Sequence, residues 1–278
     1  MTEPLLRIQD LDVTFGRHRV LRQVGLTVPA GRTVGLVGES GSGKSTLAKA
    51  VVGLVRPAAG RILLDGVDIT HTRRTVAERR RVQLIPQDPY ASLNPRMTVG
   101  ETLAEALDPR RADRKKHRAD IEALLNRVAL DGEAAARHPR AFSGGQRQRI
   151  AIARALAVRP ALIVADEITS ALDTSVQAEV LGVLRELRAE LDLTMLFISH
   201  DLAVVRHVCD EVAVLRHGTL VEAAPRDTLF TNPQHAYTRR LLDSVPSTGE
   251  RGRARGFDRG GGGGGWRARG GAAGGGGG

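Results

Sequence analysis

Cysteine is almost absent from the sequence, since Cys209 is the only one in 278 residues. A single cysteine excludes an internal disulfide, which suits a reducing compartment. No basic start followed by an apolar stretch marks the N-terminus, so no secretory signal is recognisable. The longest apolar runs have about five or six residues, as at 161–165, whereas a membrane-spanning helix needs roughly 20. The sequence therefore predicts that the chain does not cross a membrane. If the protein works at a membrane, a partner must hold it there.

Acidic residues are outnumbered, because 31 Asp and Glu stand against 41 Lys and Arg. Much of the formal charge of +10 comes from residues 249–278, which hold six Arg, two acidic residues and 16 of the 32 glycines. The remaining +6 is mild for a chain of this size and gives little support for a dedicated nucleic-acid binder. Residues 249–278, which include Trp266, have the composition of a disordered Gly/Arg-rich tail.

Apolar residues alternate with polar ones along the first 70 residues, which predicts strands and tight turns there. From about 98 to 158 the pattern becomes helical, and apolar strands return at 162–165 and 193–199 on either side of a helix. Strands that alternate with helices predict an α/β fold with a largely parallel sheet, here interrupted by a helical insertion.

A glycine-rich stretch follows the apolar strand predicted at 33–37 and precedes a helix. It matches the phosphate-binding loop pattern in full, with Gly38, Gly43, Lys44 and Ser45 at the defining positions. Glycines let the backbone curl so that its amides point at anionic oxygens, and the helix that follows adds its positive end. Lys44 can reach the outer phosphates, and the Ser45 hydroxyl can take one position on Mg²⁺. We therefore predict that a nucleoside triphosphate binds to Gly38, Glu39, Ser40, Gly41, Ser42, Gly43, Lys44, Ser45 and Thr46.

Two further motifs occur downstream of this loop: SGGQRQR from Ser143 and LIVADEITSALD at 162–173. Together with Gln87 and His200, these motifs resemble those of the ATP-binding-cassette ATPases, in the same order and at familiar separations. The resemblance covers about residues 5–245. It implies a RecA-like P-loop NTPase core with an antiparallel β region on its N-terminal side and an inserted α-helical subdomain. It also implies ATP and Mg²⁺ as ligands and ATP hydrolysis as the activity.

An acidic pair ends the strand predicted at 162–165. Asp166 is placed to hold Mg²⁺ through water, and Glu167 points elsewhere if side chains alternate along an extended chain. Glu167 is the candidate general base that polarises the attacking water. The resemblance implies that His200 contacts the terminal phosphate, and that Gln87 senses metal and water and joins the core to the helical insertion.

Phe15 is a weaker candidate for contact with the nucleotide. The resemblance implies an aromatic that stacks on adenine, but Phe15 also fits a core strand.

A second anion site is predicted at residues 143–146. Ser143 reads as the N-cap of a helix that runs to about 158, and Gly144, Gly145 and Gln146 form its first turn. In the family, this site closes on the nucleotide of a partner subunit, so that two ATP molecules lie in a head-to-tail dimer. Residues 170–173 would lie at that interface. The resemblance thus implies that hydrolysis opens a dimer of this chain with itself or with a second ATPase.

Two stretches resemble the oligopeptide and dipeptide importer ATPases: QDPYASLNPRMTVGETLAEAL from Gln87, and NPQHAYTRRLLDSVP at 232–246. They imply a nucleotide-binding domain at 1–248, with a helical subdomain at about 88–158 and an importer-type extension at about 225–248. They also imply a peripheral location on the cytoplasmic face of the membrane, beneath two multi-span permease subunits, with an extracytoplasmic solute-binding protein that delivers peptides or related nutrients. The residues leave alternatives open, namely a soluble ATPase of an enzyme complex such as carbon–phosphorus lyase, and a cassette acting on ribosomes or DNA.

The sequence departs from the family at two positions. Ile168 stands where proline usually follows the acidic pair, which predicts a freer backbone after Glu167. Pro86 replaces an aromatic before Gln87 and would stiffen that loop. A basic segment at 110–118 is predicted to be a solvated helix face, with contact to anionic lipid as the alternative.

Overall fold

The computed structural model describes residues 4–70 and 74–244. The strands of this part of the chain are β1 Pro4–Phe15, β2 His18–Pro29, β3 Thr33–Val37, β4 Ala59–Leu64, β5 Val67–Asp68, β6 Val82–Ile85, β7 Leu162–Asp166, β8 Thr194–Ile198, β9 Glu211–Arg216 and β10 Thr219–Pro225. The α-helices are α1 Lys44–Val51, α2 Val76–Arg81, α3 Pro89–Ser92, α4 Val99–Leu107, α5 Arg118–Arg127, α6 Gly144–Leu156, α7 Thr174–Leu191, α8 Leu202–Val208, α9 Arg226–Thr231 and α10 Ala236–Asp243. The predicted tail at 249–278, with Trp266, lies outside the described residues.

A six-stranded sheet forms the centre of the fold, in the order β10-β9-β3-β8-β7-β6. Its neighbours pair in parallel except β9 and β10, which are antiparallel. Every residue of β3, β7 and β8 is buried. Parallel strands covered on both faces read as continuous apolar runs, as the sequence predicted.

Successive residues of the central strands supply two separate cores. Leu196 and Ile198 of β8 belong to the core beneath the N-terminal sheet, whereas Met195 and Phe197 belong to the core that contains the helical insertion. This division follows from the two-residue period of a strand, which sends neighbouring side chains to opposite faces.

The N-terminal region forms a second, antiparallel sheet in the order β2-β1-β4-β5. Its long hairpin turns between Phe15 and His18. Phe15 is 52% exposed at this turn, so the interpretation of Phe15 as a core-strand residue is wrong. The other interpretation, an exposed ring that stacks on adenine, is compatible with the structure.

Four α-helices, α3 to α6, and two short 3₁₀ helices, Gly132–Ala136 and Pro139–Ala141, lie in the chain between β6 and β7. Thr98 caps α4 through a reciprocal pair of hydrogen bonds with Glu101. The predicted α/β fold with an antiparallel N-terminal region and a helical insertion is confirmed. The basic segment differs from its prediction: residues 109–111 and 114–117 form turns, and α5 begins only at Arg118. Asp113 accepts hydrogen bonds from the amides of Lys115 and Lys116, which stabilises the second turn instead of a helix.

A search of the helices in the described ranges finds none long and apolar enough to span a membrane.

The core position of Phe197 provides a test of this packing. Phe197 is 1% exposed on β8, so Phe197→Ala should lower the free energy of unfolding by about 3–5 kcal/mol. Phe15→Ala is the matched control, and it should change the free energy by no more than about 0.5 kcal/mol because the ring is exposed. Denaturant unfolding of the full chain without nucleotide measures both. Equal losses in the two variants would contradict the assignment of the core.

Candidate functional site

The loop after β3 curls tightly at two glycines. Gly38 has φ +155°, and a Cβ on it would lie 2.1 Å from the Leu215 carbonyl oxygen. Gly43 has φ +109°, and its Cβ would lie 2.8 Å from a methyl carbon of Leu21. A side chain at either position would be strained and would collide with its neighbours. The backbone geometry therefore requires glycine at both glycine positions of the phosphate-loop pattern.

Lys44, the first residue of α1, turns back into this curl. Its ammonium donates to the carbonyl oxygens of Gly38 at 2.8 Å and Glu39 at 2.9 Å. The side chain is 4% exposed, and burial lowers the pKa of Lys44, while the charges of Glu167 and Asp166 act in the opposite direction. The negative charge of a bound polyphosphate would stabilise the charged form of this buried ammonium.

Asp166 ends β7 and faces the start of α1. The Ser45 hydroxyl donates to Asp166 Oδ1 at 3.1 Å. Burial raises the pKa of Asp166, the charge of Glu167 raises it further, and the hydrogen bond from Ser45 opposes both. The negative charge of Asp166 is thus only partly stabilised by its neighbours, as expected for a carboxylate that a bound cation would neutralise.

Glu167 lies just beyond β7 in a left-handed conformation, with φ +48°. The prediction that it points away from Asp166 by strand alternation gives the wrong cause, because the strand has already ended. Its amide donates to the Ile198 carbonyl at 2.9 Å, which fixes the turn. Its carboxylate lies 3.9 Å from Lys44 Nζ and 3.2 Å from His200 Nδ1.

Gln87 completes this cluster from the segment before α3. Its side-chain nitrogen lies 3.4 Å from Glu167 Oε2 and 3.1 Å from the Ser170 hydroxyl. The Ser170 hydroxyl also donates to the Glu167 carbonyl at 2.9 Å. The sequence analysis missed this role of Ser170, and its one local signal is a hydroxyl three residues after the acidic residue.

Ile168 occupies the position where the family usually has proline. It is 2% exposed and belongs to the core that contains the helical insertion. Its packing restrains the backbone after Glu167, where a proline ring would otherwise do so.

The predicted second anion site is a capped helix start. Ser143 Oγ accepts from the Gln146 amide at 3.3 Å, and the Gln146 side chain accepts from the Ser143 amide at 3.0 Å. A Cβ on Gly145 would lie 2.2 Å from a methyl carbon of Val176, and one on Gly144 would lie 3.4 Å from Leu172. The site therefore packs against the start of α7 and the segment before it.

The predicted residues form three groups in the described part of the chain. Lys44, Ser45, Asp166, Glu167, Gln87 and His200 are linked by the contacts above. The second anion site and Phe15 are not joined to this cluster by any hydrogen bond or ion pair within the described ranges. Within the loop, Glu39, Ser40 and Gly41 are exposed, Ser42 is buried and Thr46 is partly buried.

The oxygen donors of the cluster fit a magnesium ion. The donors come from Ser45 and Asp166, with the side-chain oxygen of Gln87 as a third candidate. No group of three or more His, Cys, Asp or Glu side chains suited to a metal occurs among the described residues. Mg²⁺ in nucleotide sites uses one or two carboxylates, waters and substrate phosphates, so this sparse donor set suits it.

A contact from the C-terminal region also reaches the loop. The Tyr237 hydroxyl accepts a hydrogen bond from the Glu39 amide at 3.2 Å. The sequence analysis considered Tyr237 only as a residue that covers the core, and helical spacing alone does not predict this contact.

Comparison with known proteins gives consistent matches. Residues 21–170 match the family described as ABC transporter, and residues 221–260 match the oligopeptide/dipeptide transporter C-terminal region. The chain is 48% identical over 255 residues to a putative peptide import ATP-binding protein of Brucella ovis, covering 89% of this chain and 80% of that protein. It is 47% identical over 255 residues to the oligopeptide transport ATP-binding protein OppF of Bacillus subtilis, covering 88% and 84%.

The fold also matches a solved structure. CbiO1 of Clostridium perfringens, part of an ABC transporter complex, aligns with a TM-score of 0.75 and 24% identity over 88% of this chain and 96% of that one. This likeness supports the fold.

The raised pKa of Asp166 predicts a stability effect that depends on pH. Burial disfavours the charged form of Asp166. The contribution of Asp166 to the stability of the fold is therefore fully present below the pKa of the unfolded state, and it is lost as pH rises through the higher pKa of the folded state. Asp166→Asn should therefore raise the melting temperature without nucleotide at pH 7, and this gain should shrink toward pH 4.

Asp173→Asn is a control of opposite sign. Hydrogen bonds from the Val176 amide and the Ser175 side chain lower the pKa of Asp173, so its charge contributes stability at pH 7. Asp173→Asn should not raise the melting temperature, which scanning calorimetry between pH 4 and 8 measures. A loss of stability in Asp166→Asn at pH 7 would contradict the inferred cost of the buried carboxylate.

Proposed function

Because this chain belongs to the ABC transporter family, we propose that it is the ATP-binding and ATP-hydrolysing subunit of an importer for peptides or related small nutrients. The match at 221–260 and relatives named for peptide import support the importer assignment. The contacts of Glu167 with Lys44 and His200 support ATP hydrolysis as the reaction.

ATP hydrolysis at this site is assigned to the linked cluster. Lys44 and the amides of the loop position the phosphates, and Glu167 accepts the proton of the water that attacks the terminal phosphorus. As the new P–O bond forms, the bond to the leaving ADP oxygen breaks, and Lys44 offsets the negative charge there. His200 and Gln87 orient Glu167 through contacts of 3.2 and 3.4 Å. Mg²⁺ held by Ser45, Asp166 and Gln87 would supply further neutralisation of the phosphate oxygens.

The exposed Phe15 ring is assigned to the adenine base. Its 52% exposure leaves a ring face for stacking, which is worth about 1–3 kcal/mol per base.

A second ATPase subunit is part of the proposal. The glycine amides beside Ser143 form an anion site, yet no hydrogen bond or ion pair of the described chain joins them to the cluster around Lys44. We assign residues 143–146 and 170–173 to the interface with that subunit, which is this chain or a related one. The ATP held by each subunit then lies between the two, and hydrolysis reopens the pair.

The permease subunits are assigned to a groove beside Gln87. The groove is lined by Val52, Leu54, Gln83, Leu84, Pro86, Ser92, Ala151, Arg154 and Ala155. Leu54 is 69% exposed there, although a large apolar side chain gains free energy from burial. A groove with apolar side chains beside Gln87 suits contact with a permease subunit at the cytoplasmic face of the membrane. That subunit would be one of two that respond to a solute-binding protein outside.

The domain limits belong to the same proposal. We assign residues 1–248 to the nucleotide-binding domain, with the helical subdomain at about 88–158 and the extension at about 225–248, and residues 249–278 to a tail. No observation favours the alternative of a soluble ATPase in an enzyme complex such as carbon–phosphorus lyase.

Glu167→Gln tests the catalytic assignment. The amide keeps the size of the side chain but cannot accept the proton, so the rate of ATP hydrolysis should fall by about 100-fold or more. ATP binding should persist, whereas Lys44→Ala should lose it. Phosphate release and equilibrium dialysis of the full chain measure the two effects. Wild-type hydrolysis by Glu167→Gln would refute the assignment of the base.

The same variant identifies the partners. Glu167→Gln purified from native membranes and from cytosol with ATP and Mg²⁺ should retain its complex, and mass spectrometry then identifies the subunits. Two multi-span proteins with an ATPase in the membrane fraction would support the importer. Soluble enzyme subunits without a membrane protein would replace it with the alternative.

Leu54→Asp tests the groove. A carboxylate at the most exposed apolar position of the groove should remove the chain from its membrane complex, because a desolvated charge is costly. ATP binding by the isolated chain should stay within about twofold, since no contact described above joins Leu54 to the cluster. Val67→Asp is the matched control, because Val67 is 52% exposed and does not line the groove. Co-purification from membranes that survives Leu54→Asp would exclude this surface.

A further inference from the structure

Tyr237 brings the C-terminal helix α10 into contact with the phosphate loop. The Glu39 amide donates to the Tyr237 hydroxyl at 3.2 Å, across 198 positions of sequence. The Tyr237 side chain is 4% exposed. We propose that Tyr237 is a positioning residue, which sets the nucleotide affinity of the phosphate loop and couples it to the docking of α10. This inference rests on the proposed function of the loop.

Four contacts fix the position of Tyr237 and of the residues just before it. The Arg216 guanidinium lies 5.0 Å from the centre of its ring. The Tyr237 amide donates to His235 Nδ1 at 3.1 Å, which caps α10. Glu222 of β10 accepts from the amides of Gln234 at 2.7 Å and His235 at 3.0 Å. The ring is therefore held by β9, and the start of its helix is held by β10.

The turn between β9 and β10 holds the other side of the same loop. The Gly218 amide donates to the Ser42 carbonyl at 2.9 Å. Gly218 has φ +80°, and a Cβ on it would lie 2.1 Å from the Val20 carbonyl oxygen, so the turn has little freedom. Tyr237 and Gly218 thus restrain the loop at Glu39 and Ser42, on either side of the exposed Ser40 and Gly41. A loop held in its receptive shape loses less entropy when it binds phosphate.

The hydroxyl is the functional part of the side chain. Burial raises the pKa of Tyr237, so the phenol stays protonated at neutral pH. Phenylalanine would keep the ring contact with Arg216 but leave the Glu39 amide without this acceptor. A cavity of about 380 Å³, which Arg216, His217 and Arg240 help to line, adjoins the contact. Water from that cavity can replace the hydroxyl in part, which limits the expected effect.

Coupling between two sites is reciprocal for binding free energies. If α10 improves the affinity of the loop for nucleotide, then nucleotide must stabilise the docking of α10 by the same factor. Amide exchange at residues 236–243 should therefore slow when nucleotide binds to the wild-type chain, and this slowing should be lost without the hydroxyl.

Tyr237→Phe in the full chain is the test. A net hydrogen bond corresponds to about threefold to tenfold in an equilibrium constant, so KM for ATP and Kd for ADP should rise by that factor. The value of kcat should stay within about twofold, because the bond restrains ground state and transition state alike. The melting temperature without nucleotide should fall by no more than about 2–4 °C, as for the loss of one hydrogen bond in a domain of this size, which distinguishes positioning from loss of fold.

Thr231→Val is the matched control. It removes a hydroxyl from the same C-terminal region, where Thr231 donates to the Asp227 carbonyl at 2.7 Å within α9. KM, Kd and the exchange pattern should match the wild-type values. An unchanged KM in Tyr237→Phe, or equal nucleotide-dependent protection of α10 in Tyr237→Phe and wild type, overturns the inference. If Lys44→Ala also binds ATP normally, the proposed function itself fails, whereas normal binding by Tyr237→Phe alone refutes only the coupling.

Discussion

The ammonium of Lys44 can stay buried only because its surroundings replace the water that it loses. Two carbonyl oxygens do so, and the loop presents them because Gly38 adopts a conformation that other residues rarely adopt. The carboxylates of Asp166 and Glu167, at the end of β7 and just beyond it, supply the opposite charge. The curl of the loop, the start of α1 and the end of β7 are therefore mutually dependent, and much of the six-stranded sheet serves to bring them together.

Glu167 contributes strain to this arrangement. A non-glycine residue in the left-handed region costs roughly 1–2 kcal/mol, and it persists only where neighbours fix it. Here the hydrogen bond to the Ile198 carbonyl and the burial of Ile168 fix the turn on both sides. The strain places the Glu167 carboxylate between Lys44 and His200, whereas Asp166 faces Ser45. Two adjacent carboxylates thus acquire different partners and different electrostatic environments.

Sequence reasoning predicts the parts of this site that depend on local geometry. The loop, the cap at Ser143 and the buried strands each have a short pattern with a physical cause. Contacts across the fold have none: the hydrogen bond between Tyr237 and Glu39 depends on how α10 docks, and that between Gln87 and Ser170 depends on how the segment after β6 approaches β7. The basic segment at 110–118 shows the same limit, because charge pattern alone does not distinguish a helix face from a turn stabilised by Asp113.

Gly145 has to satisfy two requirements at once. Packing alone excludes a larger residue, since a Cβ would lie 2.2 Å from Val176. Ser143 and Gln146 cap each other, so the remaining amides of the first turn of α6 stay available to an external anion. Because α7 follows directly on the segment that leads from Glu167, the two proposed half-sites of one chain share a packed pair of helices. The Glu167 turn and the second anion site are therefore connected within one chain through this packed helix pair.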